Sequence, residues 1–78
     1  MISESLLARI TTSPDVLVNK PTIRGLRISV EQILRALAAG VTVDEILDDY
    51  PELEPADVHA ALAYAAERVA EERVFRVA

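Results

Sequence analysis

Ser29-Val30-Glu31-Gln32 and Thr42-Val43-Asp44-Glu45 are two instances of one short signal, a hydroxyl residue followed three positions later by glutamine or glutamate. In that pattern the hydroxyl accepts from the third backbone N–H, and the longer side chain returns to the hydroxyl residue's own N–H, so each instance marks a helix start. The stops are as plain. Val30, Ile33, Leu34, Leu37 and Ala38 form one apolar stripe at helical spacing, and Gly40 follows where a left-handed residue closes a helix. Val43, Ile46, Leu47 and Tyr50 line one face of the next segment, which Pro51 ends. The spacing therefore predicts helices over about 30–39 and 43–50. Pro55 suits the first turn of a third helix, Asp57 lies near that helix's positive end, and Leu53 can staple onto Val58. Val58, Leu62, Ala65 and Val69 read as its core face, and Glu67, Arg68, Glu71 and Glu72 as its wet side, which carries it to about residue 72.

Ahead of these helices, Arg9 to Thr12 and Arg27-Ile28 are short and rich in β-favouring residues, and they are expected to pair as a small ribbon. Ser13-Pro14-Asp15 and Pro21 to Gly25 read as turns. The sequence thus predicts one mostly α domain: a β-element and basic loop over 1–28, a three-helix body over 29–72 and a tail over 73–78.

A chain of 78 residues buries only about 60% of the surface it exposes when unfolded, so help from a partner is expected. With no cysteine and one histidine, neither disulfides nor a thiolate metal site can supply it, and a homodimer is the predicted route. The run Ala60 to Ala66 is rich in small residues that permit close helix approach, which fits either a dimer seam or packing against the first two helices. No segment approaches the ~20 apolar residues of a membrane span, and the N-terminus has neither a basic start nor a long apolar stretch. A soluble, cytoplasmic protein is expected.

Charge is unevenly spread. Residues 1–40 carry five cations against three acids, and residues 41–78 carry three arginines against ten acids, for a total of −5. Any contact with nucleic acid is therefore confined to the first half. There, Lys20, Arg24 and Arg27 lie in a loop preset by Pro21 and Gly25, an array suited to phosphates or carboxylates. The competing use is structural, with Arg24 and Arg27 satisfying carbonyls and carboxylates within the protein and holding the loop against the first predicted helix or a partner subunit. Two short helices leading to a longer third have the outline of a helix-turn-helix. The third begins Glu54-Pro55-Ala56-Asp57, however, and offers base edges no cation in its first turn.

Catalysis is not supported, since His59 has no evident nucleophile or orienting partner. Asp44, Asp48, Asp49, Glu52, Glu54 and Asp57 read as a solvated acidic face around helix N-termini, not a metal cluster, and no cofactor is implied. In the tail, Arg73, Phe75 and Arg76 combine an aromatic anchor with two cations, which suits either a protein partner or folding back onto the body.

Ile10-Thr11 with Pro14-Asp15, Lys20-Pro21, Ile23-Arg24-Gly25, Arg27-Ile28, Leu37 to Gly40, and Ile46-Leu47 through Tyr50-Pro51-Glu52-Leu53 together resemble the family called domain of unknown function 433, from about Ile10 to Ala66. The sequence departs from the family pattern at Leu26, where threonine is common, and at Asn19, where glycine is common, which suggests a turn tolerant of left-handed geometry. The resemblance implies a homeodomain-like three-helix body after a short β-element and a tendency to dimerise. For several members it also implies a role as VapB-type antitoxin to a PIN-domain ribonuclease. The resulting expectation is an antitoxin-like protein that neutralises such a toxin and binds its own promoter DNA. The alternative is a dimeric structural or adaptor module without DNA binding.

Overall fold

The computed structural model describes residues 4–71. In chain order these form α1 (Glu4–Leu7), β1 (Ile10–Thr11), a tight turn over Leu17–Asn19, β2 (Thr22–Ile23), α2 (Val30–Ala38), α3 (Val43–Asp49) and α4 (Pro55–Glu71). The architecture is mostly helical with one two-stranded antiparallel sheet. No helix among the described residues is long and apolar enough to cross a membrane.

Both capping boxes form. Ser29 Oγ accepts from the Gln32 N–H at 2.9 Å while Gln32 Oε1 accepts from the Ser29 N–H at 2.8 Å. Thr42 and Glu45 exchange the same pair at 3.2 and 2.9 Å. At the far end of α2, Gly40 adopts φ +92°. The Val41 N–H reaches the Ala36 carbonyl and the Gly40 N–H reaches Leu37, each at 3.0 Å. This double closure satisfies carbonyls the helix itself leaves without partners. α3 ends as its composition demands, at Tyr50 just before Pro51.

The ribbon differs from the sequence expectation. β1 pairs with Thr22-Ile23, in the register Ile10↔Ile23 and Thr11↔Thr22. Arg27-Ile28 instead lies beyond β2, where the Ile28 carbonyl accepts from the Ile23 N–H at 3.0 Å and Ser29 bridges to Thr22. Pro21 and Gly25 frame two β-favouring residues, and the frame reads as a single turn when only the punctuation is weighed. Asn19 is left-handed at φ +65°, as its tolerance for that geometry predicted, and Leu17 and Val18 join it at +49° and +50°.

The core gathers Ile23, Ile28 and Val30 from the ribbon and helix entry, Ile33 from α2, Ile46 from α3, and Leu53, Val58 and Ala61 from the last helix and its approach. Leu53 and Val58, the pair expected to staple the start of α4, are both buried in this cluster. Burying an isoleucine stabilises by about 1.5–3 kcal/mol, so the four buried isoleucines of this cluster carry much of the fold.

The expected core face of α4 is corrected in part. Val58 is fully buried, but Leu62 and Val69 are 46% and 63% exposed, and the inward positions are Asp57, Ala60, Ala61 and Ala63. Helix α4 touches α1, α2, α3 and β1 at once. A helix surrounded this closely needs small side chains inward, so the alanines bury and the larger residues turn out.

Candidate functional site

Asp57 is the electrostatic centre of the molecule and has no exposed surface. Its Oδ1 accepts from Arg24 Nε at 3.0 Å and Arg9 Nη1 at 2.9 Å. Its Oδ2 accepts from Arg24 Nη2 and from the Glu54 N–H, both at 2.8 Å. Four donors thus converge on two oxygens. Burial alone would push this carboxyl up, but the Arg24 fork, the Glu54 N–H and Arg9 together hold it down at about 2. The two arginines are raised in turn, Arg9 by Glu54 and then Asp57, and Arg24 by Asp57. The expectation that Asp57 belongs to a solvated acidic face is overturned. Asp44, Asp48, Asp49, Glu52 and Glu54 are exposed.

Local chain geometry aims Arg24. The residue sits at φ +46° beside Gly25 at +74°, and the Leu26 N–H closes the turn on the Ile23 carbonyl at 2.7 Å. The Arg24 N–H donates to the Arg9 carbonyl at 2.7 Å, so the sheet holds both arginine backbones together and presents both guanidinium groups to α4. Arg24 Nη2 also donates to the Glu52 carbonyl at 2.8 Å, and Arg9 Nη1 to Glu54 Oε1 at 2.8 Å. Arg24 therefore follows the structural use open to it in the sequence, although it grips α4 and not the first predicted helix. Arg9 supplies one of the clamp's four bonds to Asp57 and was not singled out by the sequence, because only its partner across the sheet gives it that role.

The other two residues of the basic loop are placed differently. Lys20 Nζ pairs with Glu31 Oε1 at 3.0 Å, and Arg35 Nε reaches Glu31 Oε2 at 2.8 Å. Together they lower the Glu31 carboxyl, Arg35 most. Arg27 is exposed and has no ion pair among the described residues. The structure thus separates a clamped arginine from an exposed lysine and arginine. His59 is exposed on α4, and no group of three or more metal-ligating side chains occurs among the described residues. Arg73, Phe75 and Arg76 lie outside the described residues.

An open apolar groove of about 500 Å³ runs between α2 and α4. Leu34, Ala38, Tyr64, Ala65 and Val69 form its walls, and Glu31, Arg35 and Arg68 stand at its rim. A second cleft of about 340 Å³ lies on the other side of α4, against Leu7 and Ile10, with Glu67 and Glu71 along it. Tyr64 and Arg68 line both, so this part of α4 is a ridge between two hollows. The arrangement offers surfaces to be covered.

A small helical body pinned to a two-stranded ribbon by a buried Arg–Asp clamp defines a compact α-rich module with an open apolar groove. The chain belongs to the DUF433 family, described as a protein of unknown function, which it matches over residues 10–65. It is similar to the uncharacterised protein y4eO of Sinorhizobium fredii (strain NBRC 101917 / NGR234), with 36% identity over 56 residues. That stretch is 72% of this chain, and the chain spans about a quarter of the length of that relative. No solved structure matches it. The Arg24–Asp57 pair and the whole sheet fall inside the matched range.

Proposed function

We propose that this chain is a docking module of the antitoxin type, which binds and neutralises a PIN-domain ribonuclease through the segment that follows α4. One observation supports this reading above the others: beyond Ala63 no residue of α4 is buried. The helix runs on to Glu71 with Val69 and Ala70 exposed, and Arg73, Phe75 and Arg76 follow directly in sequence. An aromatic flanked by two cations suits an acidic nuclease site. The body's role is then to fix where that segment begins, with α2, α3 and α4 arranged as a homeodomain-like helix-turn-helix. The test looks for a PIN-domain ribonuclease in the neighbouring gene, adds the chain to it and follows RNA cleavage. The full chain suppresses cleavage at equal molar amounts, and a folded chain lacking residues 73–78 does not. Equal suppression by both chains overturns the reading.

A second reading, binding to promoter DNA, is favoured by the exposure of Lys20 and Arg27 in the more basic half. Arg24 is held by Asp57, and exposed Glu54 stands just ahead of the first turn of α4, so the groove-reading role passes from α4 to the loop.

A further inference from the structure

The groove between α2 and α4 is walled by i, i+4 pairs from both helices, Leu34 and Ala38 on one side and Ala65 and Val69 on the other. Each wall thus contributes one alanine, and the hollow beside them is open and apolar. An open trough between two helices takes the apolar side of a third, whose larger side chains enter where the alanines leave room. The edges of this trough carry cations on both sides. Arg35 stands on the α2 wall and Arg68 on the α4 wall, and Lys20 joins the first edge through Glu31, which it shares with Arg35. Against these three cations stand Glu31 and, 3.7 Å from Arg68, Glu71, so the groove is net positive on a chain whose total charge is −5. All of these pairs are exposed, and they yield to a better-placed carboxylate at little cost.

We infer that the groove receives an amphipathic helix of a partner protein, one whose apolar stripe is bordered on both sides by carboxylates. Charge favours that occupant over the two that this chain could supply. Seating Phe75 here would bring Arg73 and Arg76, which flank it in sequence, against Arg35 and Arg68. A second copy offers Leu62 and Val69 on a helix that carries Arg68 as well as Glu67 and Glu71, so it meets the cations with mixed charge. Elsewhere the acid-rich half, with ten acids against three arginines over residues 41–78, repels an acidic helix and so confines it to this trough. The site lies on the body and is independent of the segment after α4 that the docking reading assigns to a nuclease.

The probe is a synthetic helical peptide of about 20 residues, with leucine at every third or fourth position and glutamate on both borders of that stripe. A second peptide carries lysine in place of each glutamate. Fluorescence anisotropy follows the binding of each to the full chain. The wild type binds the glutamate peptide saturably and about tenfold or more tighter than the lysine peptide. Arg35→Glu with Arg68→Glu reverses that order. Ala38→Trp, which fills the groove from an exposed position, weakens binding of the glutamate peptide about tenfold, and both variants keep the wild-type circular dichroism spectrum. Absence of saturable binding, equal affinity for the two peptides, or affinity indifferent to Ala38→Trp overturns the inference. A chain lacking residues 73–78 that binds the glutamate peptide about tenfold tighter than the full chain assigns the groove to the tail and overturns it too. So does a wild-type chain of twice the 8.5 kDa mass that binds the peptide only as it dissociates, which assigns the groove to a second copy. None of these measurements uses a ribonuclease, so failure here leaves the docking reading standing, and a nuclease that the chain does not inhibit leaves the groove's occupant standing.

Discussion

Arg24 grips Asp57 with a two-point fork, Nε to Oδ1 at 3.0 Å and Nη2 to Oδ2 at 2.8 Å, across 33 residues of sequence. The planar guanidinium matches the carboxylate edge to edge, a geometry that lysine cannot reproduce. The pair ties the ribbon, where Arg24 follows β2, to the first turn of α4, and so closes the chain on itself. Asp57→Asn is expected to lower unfolding free energy by about 1.5–3 kcal/mol, the range for a hydrogen bond to a charged group. The larger loss of a fully buried pair is not reached, because the arginines keep 30% and 37% of their side chains exposed and turn to water. Urea titration followed by circular dichroism measures it. Arg24→Lys should recover little of what Arg24→Ala loses, and Arg9→Ala should cost less than either, since Arg9 makes one bond to Asp57 where Arg24 makes two.

The depressed carboxyl of Asp57 makes stability depend on acid. Its value in the fold is about 2 against an ordinary 3.8, so the folded state binds the proton less readily than the unfolded chain. Stability from this group is fully present above about pH 5 and is lost as pH falls through 3.8 toward 2. Glu31 and Glu45 are lowered from 4.5 as well, and they act in the same direction, weakly, because both are exposed. Thermal melts from pH 7 to pH 2.5 should fall steeply for wild type and less steeply for Asp57→Asn. Parallel curves would mean that Asp57 does not carry the acid sensitivity.

Much of the body was legible because its signals are local. The two capping boxes, Gly40 and Pro51 act within a few residues of where they stand, and they set α2 and α3 to within a residue or two at each end. The clamp was not legible. Asp57 near the start of a helix has the same local signature whether solvent or two arginines meet it, and the choice depends on a sheet that brings Arg9 and Arg24 together from 15 residues apart. The inward face of α4 was misread in part for a related reason. Apolar periodicity marks Leu62 and Val69 for burial, but it cannot tell whether the neighbour lies in the same chain, and here Ala60, Ala61 and Ala63 serve the inside.

Gly40 permits a clean measure of backbone strain. At φ +92° it closes α2, and a Cβ added there meets nothing within 4 Å, so Gly40→Ala costs conformational energy without a clash. The expected loss is about 1 kcal/mol, with Asn at the same site milder. Equilibrium denaturation of both variants decides it, and an alanine variant as stable as wild type would contradict the left-handed closure.

Ser29 and Thr42 head equivalent capping boxes in different surroundings, since Ser29 is 4% exposed while Thr42 is open to solvent. Ser29→Ala should therefore cost more than the ~1 kcal/mol typical of a lost cap, and Thr42→Ala about that or less. Ser29 also sits beside Thr22 in the backbone bridge that joins the entry of α2 to the ribbon, a bridge that alanine leaves in place. Equal costs would show that burial adds nothing to the cap.

Binding to DNA, if the loop provides it, should separate the three basic residues that the sequence groups together. Lys20 and Arg27 are exposed, and Lys20 can leave its surface pair with Glu31 at little cost, so both are free to meet phosphates. Arg24 cannot turn outward without stranding the buried carboxylate of Asp57. Replacing Lys20 and Arg27 together by glutamine should weaken binding to promoter duplex and reduce the slope of log affinity against log salt by about two, while leaving the melting temperature nearly unchanged. Arg24→Gln should do the reverse in kind, lowering the melting temperature first and affecting DNA only as folding is lost. His59→Ala should alter neither. Fluorescence anisotropy across a salt series, paired with thermal melts of the same samples, reads both quantities. Unchanged affinity in the folded Lys20 and Arg27 double variant would remove the loop as the DNA contact.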